Sequence, residues 1–183
     1  MQKLIKIICL CLLMSFPLLT TQADHHEGQA ATIMTEKEVE ATLAQGLANL
    51  AGDRNVSDIV MRHVDVGEEH LGVSVVQRNH KEAGGPATGI AHPDLDEIYY
   101  IVAGEGTMLT GGELIEKTSR VSALLGPIES GEIRGAVQQK VKVGDIAIIP
   151  KGMPHGWHEI PSENISYIIF RGDPNKVMDL KYD

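Results

Sequence analysis

The sequence predicts an all-β domain, a sandwich or barrel, preceded by one amphipathic helix. Three observations predict it. After Asn55, short runs rich in Val, Ile, Tyr and Thr recur, separated by glycines, prolines, Asp and Asn. Before them stands a single segment with helical periodicity. The length, 183 residues, suits one ordinary domain with material to spare and is too short for a typical TIM barrel.

Charge and composition narrow the function classes. Lys and Arg total 16 against 25 Asp and Glu, a formal net charge of −9. An acidic chain with no basic run has no electrostatic footprint for DNA or RNA, so no nucleic-acid partner is expected. Charged residues at 22% with ample Ile, Val and Leu exclude a wholly disordered chain.

Residues 1–23 read as a signal peptide. Lys3 and Lys6 give a positive start, Ile7 to Leu19 is an apolar run broken at Ser15 and Pro17, and Thr21 and Ala23 supply small residues before a cut. The alternative is an uncleaved anchor, but the run falls short of the roughly 20 residues a membrane span needs. The expectation is a periplasmic or secreted protein with no stable membrane span after signal removal. Cys9 and Cys11 lack small residues before them, so a lipid-anchored start is not expected. Both lie inside the signal, and the mature chain would carry a net −11 and no cysteine. Disulfides and thiol catalysis would then be excluded.

The second region, 24–55, combines a polar lead with the helix. Thr35-Glu36-Lys37-Glu38 is a capping box, Val39, Leu43, Leu47 and Leu50 recur at helical spacing, and Gly52 ends the pattern. One helix is expected over about 35–51. The main domain, 56–173, contains strands at 59–66, 71–77, 98–102, 106–110, 137–143, 145–149 and 165–170. The stretch 113–139 is less regular and reads as a long excursion between strands, with a helical turn near Ser122 to Leu125. A polar tail, 174–183, is expected on the surface.

The chemistry-bearing residues lie among eight histidines. His92 precedes Glu97 by four intervening residues, and Glu97 opens the run Glu97-Ile98-Tyr99-Tyr100-Ile101-Val102. His155 ends the stretch that runs from Gly144 through Pro150-Lys151-Gly152-Met153-Pro154. Imidazoles and a carboxylate at strand ends, aimed into a barrel mouth, suit a divalent transition metal. The spacing is Gly84, five residues, Ile90-Ala91-His92, four residues, Glu97, six residues, Gly104. It continues as Gly144, five residues, Pro150-Lys151-Gly152, two residues, His155, three residues, Glu159.

These two stretches resemble the paired motifs of the cupin superfamily, G(x)5HxH(x)3,4E(x)6G and G(x)5PxG(x)2H(x)3N, in the right order and over about residues 56–172. The chain looks like a short exported single-domain cupin, similar to the type-2 cupins. The resemblance implies a double-stranded β-helix, or jelly-roll barrel, carrying one N-terminal helix. It implies a metal in the mouth, held by His92, Glu97 and His155. The ion would be Fe, Mn, Ni or Zn. Two positions depart from the family: Ile90 replaces its first histidine and Glu159 its final asparagine. The remaining two imidazoles and one carboxylate are the ligand type of non-haem iron oxygenases, open also to zinc or manganese. The alternative is a mouth that keeps His92 and His155 as hydrogen-bonded residues without metal. His80 or His158 is a candidate fourth ligand.

Strand alternation nominates the pocket lining. If Glu97 faces inward, Tyr99 and Ile101 share its face while Ile98 and Tyr100 face away. Tyr99 is then a candidate catalytic proton donor or substrate contact, or else a core tyrosine. Trp157 either walls the mouth or is plain packing. His63 and His70 are expected to face solvent. A cut after Ala23 would expose Asp24-His25-His26, whose amine, amides and third-position imidazole suit square-planar Cu(II) or Ni(II). The bland alternative there is a polar lead. The glycines from Gly104 to Gly112 lack the lysine and helix of a phosphate loop. Asn55-Val56-Ser57 and Asn164-Ile165-Ser166 are glycosylation sequons.

Two functions follow. One is a metal-dependent enzyme, an oxygenase, isomerase or lyase, acting on a small oxygen-bearing substrate. The other is a non-catalytic barrel that captures a small molecule or a metal ion. A homodimer, formed through sheet edges or an exchanged N-terminal segment, is expected from the resemblance.

Overall fold

The computed structural model describes residues 30–52 and 54–182. The signal segment and Asp24-His25-His26 lie outside the described residues.

Helix α1 spans Glu36–Leu50. Its start is fixed by the capping box: Thr35 Oγ1 accepts from the Glu38 amide at 3.3 Å, and the Thr35 amide donates to Glu38 Oε2 at 2.8 Å. The helix lies on the first two strands, β1 (Val56–Asp65) and β2 (His70–Lys81). Its buried positions are Gly46 and Leu50, whereas Leu47, expected on the apolar face, is 44% exposed. The reason is close approach: a Cβ on Gly46 would sit 1.8 Å from Gln77 Oε1. The glycine lets β2 come up to the helix backbone, where Gln77 Nε2 donates to the Leu43 carbonyl at 3.1 Å. That contact sets the rotation and turns Leu47 outward.

Eight further strands follow: β3 (Thr88–Ala91), β4 (Asp96–Ala103), β5 (Glu105–Thr110), β6 (Glu113–Ser122), β7 (Gly126–Arg134), β8 (Val137–Lys142), β9 (Ile146–Ile149) and β10 (His155–Asp173). All pairings are antiparallel. One sheet runs β1-β2-β10-β4-β9 and the other β6-β7-β3-β10-β5-β8. The 19-residue β10 belongs to both. Its first part pairs with β3 and β5, its second with β2 and β4, and the register shifts between Ile160 and Asn164. This is the expected jelly roll. Its core lies between the sheets, around Val76, Tyr99, Ile101, Met108, Trp157 and Tyr167.

Three expectations need correction. The stretch 113–139 is no irregular excursion: β6 and β7 form a hairpin and β7 pairs with β3. The turn at Ser122 to Leu125 is present as the hairpin's connection, where the Leu125 amide donates to the Ser122 carbonyl at 3.3 Å. The tail does not simply lie on the surface, because Met178 is 2% exposed and Lys181 exchanges two backbone hydrogen bonds with His63. His63 and His70 do not face solvent. Both are buried under that tail, with Nδ1 of His63 2.9 Å from the Asp179 carbonyl and Nδ1 of His70 3.1 Å from that of Met178.

Candidate metal centre

Three turns and strands bring His92, Glu97 and His155 together. His92 follows β3, and its carbonyl accepts from the Gly152 amide at 2.7 Å, which ties the first motif to the turn of the second. His155 opens β10 in register with Ile90. A Cβ on Gly89 would lie 2.3 Å from the His155 carbonyl, so glycine is what lets β3 close on β10 there. Glu97, Tyr99 and Ile101 are buried along β4 while Ile98 and Tyr100 are exposed, the alternation expected.

The ligand atoms of the three residues lie within 4.8 Å of one another, and all three side chains are buried. His155 Nε2 is 3.4 Å from Glu97 Oε2, and His92 Nε2 is 3.9 Å from Oε1. Neither contact is aligned as a hydrogen bond. His155 Nδ1 sits 3.0 Å from the Met153 carbonyl. The proton therefore belongs on Nδ1, and Nε2 presents a lone pair towards the carboxylate. Among the described residues, Nε2 of His155 and Nδ1 of His92 are buried without a partner.

The charge states are set by burial and by one arginine. Burial pushes His92 down to about 4 and lowers His155 as well, so both imidazoles are neutral near pH 7. Burial opposes ionisation of Glu97 too, but Arg171, by its charge and its hydrogen bond, outweighs it and holds the carboxyl below its usual range. Arg171 donates from Nε to Glu97 Oε1 at 2.9 Å, from Nη1 to Ser74 Oγ at 2.6 Å and from Nη2 to Asp58 Oδ2 at 3.0 Å. One guanidinium thus serves two carboxylates, so this group of three carries one negative charge in excess beside two neutral imidazoles, while Arg78 and Arg120 stand elsewhere on the cavity wall. The lone pair on His155 Nε2 faces a buried carboxylate, an arrangement that is repulsive unless a cation stands between them. The residues therefore fit a divalent ion. With bonds of about 2.0–2.2 Å, such an ion spans up to about 4.4 Å between ligands, and the 3.4 and 3.9 Å separations of the imidazoles from Glu97 fall inside that span.

Tyr99 belongs to this centre. Its hydroxyl donates to Glu97 Oε2 at 3.1 Å, and its ring lies edge-on to His155 at 6.1 Å and stacks on Tyr167 at 4.8 Å. Burial, then the Glu97 charge, raises its hydroxyl well above the ordinary tyrosine value, so it stays protonated. Ile90 lines the same cavity of about 170 Å³ as His92 and Glu97, and puts an apolar chain where the family's first histidine would sit. Trp157 is buried and lines an adjoining hollow of about 480 Å³ with His155. The candidate fourth ligands are not brought in: His80 is exposed and pairs with Glu82 at 2.9 Å, and His158 is outside the cluster. Glu159 accepts from Thr107 Oγ1 at 2.8 Å in a separate hollow.

Arg171, Asp58 and Ser74 were not legible as site residues. The signal for Arg171 was its phase, since Ile165, Tyr167, Ile169 and Arg171 alternate along one face of β10 and are all buried.

Comparison with known sequences matches residues 55–181 to the family described as Cupin. No curated protein matches the chain. Among solved structures, KdgF from Halomonas sp. aligns with 68% of this chain and 85% of its own, at 16% identity and a TM-score of 0.40. A recombinant oxalate oxidase in complex with glycolate aligns with 69% of this chain and 55% of its own, also at 16% and 0.40. Cobalt(II) HppE in complex with Tris buffer aligns with 63% and 52%, at 12% and 0.40.

Proposed function

This chain belongs to the cupin family, and from that premise we propose that it is an exported barrel holding a divalent transition metal on His92, Glu97 and His155 and acting on a small oxygen-bearing molecule. The observation that carries this reading is the convergence of two neutral imidazoles on an ionised carboxylate, with the orphan Nε2 of His155 facing it. When bound, such an ion supplies Lewis-acid polarisation of a ligand oxygen. The chain's own residues do the rest. Arg171 keeps Glu97 ionised and oriented. The Met153 carbonyl fixes the tautomer of His155. Tyr99 offers an O–H that can turn from Glu97 to a substrate oxygen, as donor or acid. Export rests on the pattern of residues 1–23 alone.

A non-catalytic capture role is the second reading, favoured by Ile90 and by a Glu97 whose two oxygens already accept from Arg171 and Tyr99. We also propose a homodimer. Ile98, Tyr100, Ile146, Ile148 and Phe170 form an exposed apolar stripe across the outer face of β4, β9 and β10, and it continues onto the edge strand β9. Light scattering on the wild type and Ile148→Glu should give a dimer and a monomer respectively. A wild-type monomer contradicts it.

Elemental analysis tests the metal reading. Near-stoichiometric Fe, Mn, Ni or Zn in the mature protein, lost in His155→Ala and His92→Ala, supports it. Copper or nickel retained in both variants and lost on deletion of residues 24–33 would move the metal to Asp24-His25-His26. No metal after reloading would overturn the reading. If metal is present, turnover of a substrate panel that stops on chelation separates enzyme from capture protein.

A further inference from the structure

The barrel contains a second inward arginine, and among the described residues no carboxylate forms an ion pair with it. Arg78 lies on β2 in phase with Ser74 and Val76. Its Nε donates to Tyr167 Oη at 2.8 Å. Among the described residues, its two terminal nitrogens have no hydrogen-bond or ion-pair partner. The contrast with Arg171 is direct, because Arg171 is bonded through all three nitrogens and Arg78 through one. With Nε taken, the open edge of Arg78 is its terminal fork, the edge that grips a planar carboxylate through two parallel hydrogen bonds.

Arg78 faces space as well as lacking a partner. It lines both the inner cavity, with His92, Glu97 and Tyr99, and the outer hollow, with His155 and Trp157. The acids of the inner cavity, Asp58 and Glu97, are both occupied by Arg171. The outer hollow adds Lys81, whose ammonium is held on the Trp157 carbonyl, against Glu116. In a chain of net −9, these two spaces, which share Arg78 and Ile90 as wall residues, carry more cationic than anionic side chains, since Arg120 also lines the inner one. Such a surplus recruits an anion. A lone fork in a small space matches a monoanionic carboxylate better than a phosphate, which calls for more donors.

We propose that Arg78 anchors the carboxylate of a small organic acid, whose remaining oxygen is thereby presented to His92, Glu97 and His155. Only the second contact rests on the metal reading above, since the carboxylate contact needs Arg78 alone.

The chain's single tryptophan, Trp157, lines the same hollow and reports on it. Its fluorescence would be titrated with lactate and pyruvate, with 1,2-propanediol as the uncharged analogue of lactate, and with inorganic phosphate. The protein would be the full mature chain, both metal-loaded and chelator-treated. The expected result is a saturable change with lactate or pyruvate that persists after chelation, with neither propanediol nor phosphate matching it. In Arg78→Met, checked for its fold by circular dichroism and for its metal content, the affinity should fall at least about tenfold. Should Arg78→Met not fold, Arg78→Lys keeps the charge and stem but loses the fork, and must show clear weakening. Carboxylate binding by a chain that takes up no metal would support the anchor while defeating the metal reading. Equal binding to the substituted protein, binding of propanediol or phosphate as strong as that of the acids, or no saturable change would overturn the proposal.

Discussion

The barrel has two buried clusters built from the same residue types, and they do different things. In the mouth, His92, Glu97 and His155 point nitrogens and oxygens at one another. Beneath the C-terminal segment, His63, His70 and Asp173 are equally buried, but Nδ1 of each imidazole lies against a tail carbonyl and Asp173 Oδ2 accepts from the Met178 amide at 2.7 Å. Among the described residues, only the mouth brings three ligand atoms within reach of one ion. A buried histidine beside a carboxylate is therefore not a metal site by composition. Convergence of three ligand atoms on one point makes one, whereas each residue of the tail cluster holds the chain's own backbone through one polar atom, and its remaining orphan atoms, His63 Nε2 and Asp173 Oδ1, belong to no such group of three among the described residues.

The largest effect that would sharpen this contrast comes from Arg171. Arg171→Met strands two carboxylates, Glu97 fully buried and Asp58 partly so, and should lower unfolding stability by about 3–5 kcal/mol in a urea titration. A change below about 1 kcal/mol would mean that Glu97 is not held by this pair.

Acid should act next. His92 is neutral in the fold, with a pKa pushed from 6.5 down to about 4 by burial. Between those values the unfolded chain binds a proton that the native state does not. Stability is therefore fully present above about pH 6.5 and is lost as pH falls towards 4, by up to about 3 kcal/mol from this residue. His155 is shifted the same way, and Glu97, held low, adds a loss as pH falls through its folded pKa. Urea midpoints of the metal-free protein at pH 7.5, 6 and 4.5 would check this, and a flat profile would contradict neutral mouth imidazoles.

Two alanine substitutions then separate the clusters. His63→Ala removes a tail contact from a site where a Cβ on Gly72 would lie only 2.7 Å from the imidazole, and should cost about 2–3 kcal/mol with metal content unchanged. His155→Ala should abolish metal binding at a smaller cost to the metal-free fold. The reverse pattern would exchange the roles of the clusters. The smallest effect is expected at the helix start, where Thr35→Ala removes the cap and should cost about 1 kcal/mol with no change at either cluster.

The mouth trio was legible because the spacing of its residues around two glycine-bounded turns resembles the paired cupin motifs, and it is that resemblance which implied the two turns meet. Arg171 and Arg78 were not, although each is in phase with inward residues on its strand. A charge on such a face reads as an edge or a misassigned strand until the register opposite it is known, and Arg171 meets Glu97 from 74 residues away. The β6–β7 hairpin was missed for another reason. Most of β6 is exposed, so its side chains carry no alternation and backbone pairing holds it in place. Met178 was hidden because it, Val177 and Leu180 stand scattered among the charges of the tail with no strand or helix period to mark one of them as buried, and Leu47 was misplaced because helical periodicity does not register that a glycine one residue earlier offers the closer approach.

X-ray absorption spectroscopy at the metal edge, on protein loaded with one equivalent of its native ion, tests the central claim most directly. The account predicts a first shell with two imidazole nitrogens and carboxylate oxygen, completed by exchangeable light atoms, and loss of one imidazole from the signal in His155→Ala. A square-planar nitrogen shell with short amide bonds, unchanged in His155→Ala, would place the ion at the exposed N-terminus and contradict the mouth as the metal centre.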